Sequence, residues 1–303
     1  MKILFCADPL NSSYPDEAYQ AEVKAANALS LGYGVINYEA LVNDNNPTKA
    51  VRQLPKEPSN TFGIYRGWML TPNQYSQLYN ALADKGIVLI NDPVAYTHCH
   101  YLPESYSLIE AYTPASVWLR ISNNSISIEK VMDILKPFSS KPVIVKDFVK
   151  SQKHYWDEAC FIPSASNRKA VERVVKRFID LQGEYINEGL VFREFIEFEP
   201  LTNHSKSRMP LTKEFRIFIF DGSPFYLGEY WEEGNYGEDL PPIEQFQDVM
   251  SNIRSRFFTI DVAKRKDGKW MIVELGDGQV AGVPKNIDVQ QFYKALHKQL
   301  LKS

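Results

Sequence analysis

Two carboxylates in an apolar hairpin are the residues of this 303-residue chain best placed to do chemistry. Asp261 sits in Phe257-Phe-Thr-Ile-Asp-Val-Ala and Glu274 in Trp270-Met-Ile-Val-Glu-Leu, with Asp267-Gly268 between them. Asp-Gly is a strong two-residue hairpin turn, because both central positions need positive φ and glycine supplies it freely. With those two residues as the loop, Lys266 faces Lys269 and Asp261 lies directly opposite Glu274. Facing side chains have Cβ atoms about 4.5–5.5 Å apart, and like charges so placed repel. An apolar strand pair keeps two such carboxylates only with compensation, and a divalent cation is the simplest. Mg²⁺ bound by one or two carboxylates together with nucleotide phosphates is the usual case.

Cationic residues recur in similar apolar settings. Lys146 ends Val143-Ile-Val-Lys, where a lysine either snorkels to the surface or points into a cleft. Lys150, Ser151 and Lys153 follow within one loop, and lysines act as point charges on phosphate oxygens. Arg193 lies in Phe192-Arg-Glu-Phe-Ile and Arg216 in Glu214-Phe-Arg-Ile-Phe. A buried arginine needs an anion, either a ligand or one of Glu194, Glu197, Glu199 and Glu214. His98-Cys99-His100 has metal-binding side chains, but one short tract is not a complete ligand set. Trp231-Glu-Glu-Gly234 reads as a lid or surface loop. Lys206, Arg208 and Lys213 form a basic stretch, either solvated or set against an anionic substrate.

The elements that must position these residues alternate at first between strands and helices. Residues 2–7, 35–38, 62–65 and 87–90 read as strands. Helices are expected over 16–31, ended by Gly32, and from Thr71-Pro72 to Ala83, with a loop over 43–60. That alternation predicts a parallel α/β domain over roughly residues 1–110. Further on, 128–135 and 169–182 read as helices, and 142–146 and 190–198 as strands. Residues 214–220 and 225–228 form a hairpin around Asp221-Gly222. Helices over 243–253 and 289–301 flank the opening hairpin.

A hydrophobic content of 44% and a charged content of 23% fit a soluble globular protein of two or three lobes. A net charge of −3 gives no global field for nucleic acid, so such a site would be a local basic patch. Cys6, Cys99 and Cys160 are odd in number and far apart, which argues against a disulfide framework and suits a reducing cytoplasm. No apolar run reaches a membrane span, and no membrane partner is expected.

Taken together, these pieces resemble the ATP-grasp superfamily, most closely its clade named for two arginines and one lysine. Pro142-Val-Ile-Val-Lys-Asp-Phe-Val-Lys-Ser151, Val191-Phe-Arg-Glu-Phe-Ile-Glu-Phe-Glu-Pro200, Glu214-Phe-Arg-Ile-Phe and Ile272-Val-Glu-Leu-Gly-Asp-Gly-Gln279 carry the likeness, over about residues 113–290. The resemblance implies a mixed α/β (α+β) fold. An N-terminal pre-ATP-grasp α/β domain would span 1–112, a lid subdomain 113–190, and a C-terminal subdomain with the metal carboxylates 191–303. The last two would form a two-lobed fold with antiparallel sheets.

It also implies roles. Lys146 would bind the α- and β-phosphates of ATP, and Glu194, Phe195 and Ile196 would form the adenine hinge. Arg193 and Arg216 would be the two arginines, with Arg216 facing the transferred phosphate. Asp261 and Glu274 would hold Mg²⁺. There are two departures from the pattern. The loop after Lys146 lacks the usual glycines, leaving Lys150, Ser151 and Lys153 to cover the phosphates. Gly276 replaces an expected asparagine, leaving Asp277 as a candidate further ligand. The implied activity is an ATP- and Mg²⁺-dependent ligase, of the RNA-repair kind or joining a carboxylate to an amine through an acyl phosphate. A non-catalytic ATP-binding assembly factor is the alternative from another class.

Overall fold

The computed structural model describes residues 1–58, 60–121, 126–203, 205 and 210–302. Strands β1 (Lys2–Cys6), β2 (Gly32–Ile36), β3 (Thr61–Arg66) and β4 (Ile87–Leu89) form a parallel sheet in the order β2-β1-β3-β4. Parallel neighbours need crossover connections. Helix α1 (Gln20–Ala28) supplies the first, and Asp16 caps the short turn that leads into it. The Asn-rich stretch expected to be loop instead holds α2 (Tyr38–Val42) and α3 (Pro47–Ala50). Asn37 and Asn46 accept the N–H groups of Ala40 and Lys49, which caps both helices. Helix α4 (Pro72–Ala83) begins with a reciprocal capping box between Thr71 and Gln74. Two helices then close the N-terminal region, α5 (Pro93–His100), capped by Asp92, and α6 (Leu102–Ile109). Neither was expected: α5 buries Tyr96, Cys99 and His100 rather than an aliphatic stripe, and α6 is only eight residues long, burying Leu102, Ser105 and Ile109.

The middle of the chain forms an antiparallel sheet in the order β5-β8-β6-β7. Its strands are β5 (Ser116–Arg120), β6 (Val143–Asp147), β7 (Phe161–Ile162) and β8 (Gly189–Glu194). Helices α7 (Ile128–Leu135) and α8 (Arg168–Gln182) cover one face. Val131, Leu135, Val171, Val175 and Phe178 share a core with Val143, Val145, Leu190 and Phe192. Strand β8 ends four residues before the expected Phe198, and beyond it the Phe195 N–H turns to Pro142 O. Because β8 is a central strand of this sheet, residues 191–194 sit here rather than with the C-terminal lobe. The expected boundary at 190/191 cuts through a strand.

After the short antiparallel pair β9 (Pro200–Asn203) and β10 (Pro210–Thr212), the C-terminal sheet runs β12-β11-β13-β14. Its strands are β11 (Glu214–Phe220), β12 (Ser223–Glu229), β13 (Phe257–Lys264) and β14 (Trp270–Asp277), with α9 (Gln247–Asn252) between β12 and β13. The last helix, α10 (Val289–Leu300), returns to the N-terminal sheet, where Phe292, Tyr293 and Leu296 join its core. Buried Arg66, Glu22 and Tyr293 lock that contact, with the Arg66 Nε–Glu22 bond at 2.8 Å and the Tyr293 hydroxyl bond at 2.7 Å. Among the described residues no helix is long and apolar enough to cross a membrane.

The two Asp-Gly hairpins differ. Asp221 and Gly222 both take positive φ, +47° and +72°, and form the two-residue turn expected between β11 and β12. At Asp267-Gly268 only the glycine does so, at +84°. The Arg265 N–H bonds Lys269 O at 2.8 Å, so the loop has three residues and Arg265, not Lys266, faces Lys269. The longer loop offsets the register at Val262↔Ile272. A bulge at Val273 then restores it, and Asp261 does face Glu274.

Candidate active site

The facing carboxylates lie on β13 and the edge strand β14 of the C-terminal sheet, and each holds a cation from the protein itself. Arg216 stands opposite Asp261 in the β11–β13 ladder and grips it in bidentate fashion, at 2.8 Å from Nε and 2.7 Å from Nη2. Its remaining nitrogen donates to Gly282 O at 2.9 Å, and its guanidinium lies 4.8 Å over the Tyr230 ring. Lys146 reaches from β6 to Glu274, Nζ to Oε1 at 2.6 Å. The lysine is buried, with 8% of its side chain exposed, whereas Glu274 keeps 40%. Burial pushes Glu274 up, but the charges of Lys146 and Lys153 outweigh it and hold the carboxyl down at about 2. Two residues before Arg216, Glu214 points to the same sheet surface. Burial pushes it up to about 7, against the pull of Lys153.

Arg193 does different work. One terminal nitrogen donates to Val273 O, and the other to Ile272 O and the Thr113 hydroxyl. It therefore fastens β8 across to the bulge of β14, immediately before Glu274, and burial lowers it to about 10. None of the four glutamates considered as partners binds either arginine. Glu194, Glu197 and Glu199 pair instead with Lys141, Lys266 and Lys264, at 2.8, 2.9 and 3.3 Å.

A cleft of about 400 Å³ opens beside these residues, with Ile144, Lys153, Trp156, Phe195, Ile196 and Glu214 in its lining. Glu194 and Arg193 line it too. Its wall is aromatic: Trp156 stacks on Phe161 at 5.4 Å, and Phe195 meets both edge-on at 5.8 and 5.1 Å. Lys150 and Ser151 lie in a tight turn that folds back on Lys146, with Ser151 bridged to it. Buried Asp147 holds that turn by accepting the N–H groups of Val149 and Lys150, and it also binds Gln182 and Asn187. This turn takes the place of the missing glycines and exposes Lys150.

Asp277 is not part of this group. Alternation along β14 sends it to the face opposite Glu274, where it accepts from Asn91 Nδ2 at 2.6 Å and the Gln279 N–H at 2.9 Å. It ties the N-terminal region to the sheet and cannot complete a metal site with Glu274. Among the described residues no cluster of three or more His, Cys, Asp or Glu side chains is arranged to hold a metal. Cys99 bonds Gly276 O at 3.3 Å. Lys206 and Arg208 lie outside the described residues, while Lys213 is buried 3.7 Å from Asp239.

A second cavity of about 520 Å³ lies beyond Arg216, lined by Tyr230, Trp231, Glu232, Glu233 and Lys285 among others. Trp231 and Leu211 line both spaces, so the two meet there. The segment read as a lid or surface loop thus forms a wall of the site. Its only signal in the sequence is a large aromatic followed by two glutamates directly after a strand.

No curated protein matches the chain. Among solved structures, the fold is similar to a RimK domain ATP-grasp protein from Sphaerobacter thermophilus DSM 20745, at 11% identity over 99% of this chain and 100% of that one, with a TM-score of 0.60. It is similar to D-cycloserine synthetase DcsG at 13% identity over 99% and 100%, TM-score 0.59. The ATP-grasp ligase PsnB, complexed with a minimal precursor, Mg and ADP, matches at 13% identity over 98% and 97%, TM-score 0.54. At such identities the likeness is one of fold. The model of the ATP-grasp domain, R₂K clade family 3, matches residues 135–296, more than half of the chain, and the protein belongs to that family.

Proposed function

We propose that the protein is an ATP- and Mg²⁺-dependent ligase that activates a carboxylate by phosphorylation and joins it to an amine. The observation that carries this reading is the meeting of two cavities at Trp231 and Leu211, one walled by aromatic side chains, the other holding Arg216, Glu232 and Glu233. Adenine fits the first, between Trp156, Phe195 and Ile196. The Glu194 and Phe195 N–H groups already bond Ala115 O and Pro142 O, so a backbone contact to the base falls to Ile196 and the carbonyls. The phosphates run toward Lys146 and Lys153, with Lys150 and Ser151 above them.

The donor set suits Mg²⁺. Asp261 and Glu274 offer hard oxygens, and this ion is commonly bound by two carboxylates plus phosphates. When bound it would neutralise charge on the transferred phosphoryl group. Arg216 and Lys146 balance the same carboxylates, and a metal ion held by those carboxylates would free both cations for the phosphates. An acceptor carboxylate oxygen then bonds to the γ-phosphorus as the bond to the β–γ bridging oxygen breaks, and ADP leaves. The amine attacks the acyl carbon, phosphate departs with the C–O electron pair, and the nitrogen loses a proton. Arg216 faces the developing charge in the first step.

The second cavity favours an amine-bearing acceptor over RNA. Glu232 and Glu233 stand at it against Arg216 and Lys285, with Lys285 paired to Glu232 at 3.0 Å, so its lining has no excess positive charge to hold a polyphosphate backbone. PsnB, a ligase of the same fold, is seen with its peptide precursor. Hydroxylamine trapping tests the reading. Incubation with MgATP and a panel of amino acids and peptides is expected to yield ATP-dependent hydroxamate. ATP consumption that requires a 5′-phosphorylated RNA, with no hydroxamate from any carboxylate, would overturn it.

A further inference from the structure

The His98-Cys99-His100 tract ends α5 and brings the N-terminal region against the phosphate end of the site. There a small cavity of about 10 Å³ lies among His100, Ser105, Lys146, Arg193 and Glu274. Three buried atoms on its lining residues have no protein partner: His100 Nδ1, Ser105 Oγ and Arg193 Nε. Leaving a buried polar group unpaired is strongly unfavourable, so three around one space point to a shared partner. The space is the size of one water molecule, and a buried water makes about three hydrogen bonds. Among the described residues no group of three or more metal-ligating side chains is arranged there, and the volume excludes a larger anion.

We propose that this cavity binds one water molecule that ties His100 and Ser105 to Arg193, making His100 a positioning residue for Glu274 and Lys146. The hydrogen-bond roles are consistent. Arg193 Nε–H only donates, so the water accepts there. The water donates to His100 Nδ1, the acceptor nitrogen of a neutral imidazole, and the Ser105 hydroxyl takes either role. Arg193 in turn holds the Ile272 and Val273 carbonyls, which set the bulge that presents Glu274. Support of this kind behind a metal carboxylate typically changes affinity or activity about 10–100-fold. His100 and Ser105 lie outside residues 135–296, so the family match assigns them nothing.

The inference rests on the reading of Glu274 and Lys146 as the MgATP end of the site, and its test separates the two. A high-resolution crystal structure of the nucleotide-free protein is expected to show one water within hydrogen-bond distance of all three atoms; a dry cavity overturns the proposal whatever the protein catalyses. By calorimetry, His100→Leu is expected to weaken MgATP binding about 10-fold or more. His100→Asn, which keeps a polar atom near the Nδ1 position, is expected to recover most of that loss, and Ser105→Ala to show a smaller one. Equal MgATP affinity in wild type and His100→Leu overturns the positioning role. If the wild type binds no MgATP, the ligase reading falls and the crystallographic result alone decides the water.

Discussion

The Lys146–Glu274 pair makes an asymmetric prediction. Glu274→Gln leaves a buried ammonium beside Arg193 with no counter-charge, since only 8% of the Lys146 side chain is exposed. Breaking a fully buried pair costs about 3–5 kcal/mol, and the 40% exposure of Glu274 reduces that to about 2 kcal/mol. Lys146→Met removes the other partner, but the half-exposed carboxylate regains water and methionine fills the channel, so the loss is under about 1 kcal/mol. In a chain of this size about 2 kcal/mol corresponds to a fall in Tm of roughly 3 °C. Urea unfolding of the two single variants and the double variant, without nucleotide, gives the coupling energy, expected at about 1–2 kcal/mol. Both variants should also lose the stabilisation that MgATP gives the wild type, about 2.7 kcal/mol at a hundredfold excess over Kd. Lys146→Met destabilising as much as Glu274→Gln, or a coupling below about 0.5 kcal/mol, would refute the argument.

Two further outcomes follow from the same structure. Asp277→Ala strips Asn91 and Gln279 of their shared acceptor and should lower stability by about 1–3 kcal/mol, while the Mg²⁺ dependence of ATP turnover, measured by titrating the metal, stays that of wild type. A marked rise in the Mg²⁺ required would return Asp277 to the metal site. Burial lowers His100 to about 4, with Glu274 opposing and Lys146 and Lys150 assisting. The unfolded chain, titrating near 6.5, therefore binds more protons between the two values, and stability is lost as pH falls from about 6.5 to 4. The loss is at most about 3 kcal/mol, and pH-dependent denaturation of His100→Leu should lack it.

What was legible in the sequence was local or paired in register. The Thr71-Pro72 start, the amphipathic 169–182 helix and the Asp221-Gly222 turn each state their own geometry. The Asp261–Glu274 pairing was read correctly although the turn was not, because a three-residue loop and a bulge cancelled. Long-range electrostatics were less legible. Nothing local says that Arg216 belongs to Asp261 rather than Glu214, or that Arg193 spends its donors on carbonyls of β14. Asp277 was misplaced by proximity in sequence, since three residues along a strand reverse the face. Helix α5 escaped because its buried face is polar and aromatic, and its meaning lies in contacts with strands far along the chain.

How ATP is cleaved decides the reaction class, and product analysis with α- and γ-labelled ATP measures it directly. With Mg²⁺ and an amine–carboxylate substrate pair, ADP and inorganic phosphate are expected in equal amounts, with no AMP. AMP and pyrophosphate, formed only when 5′-phosphorylated RNA is supplied, would contradict it.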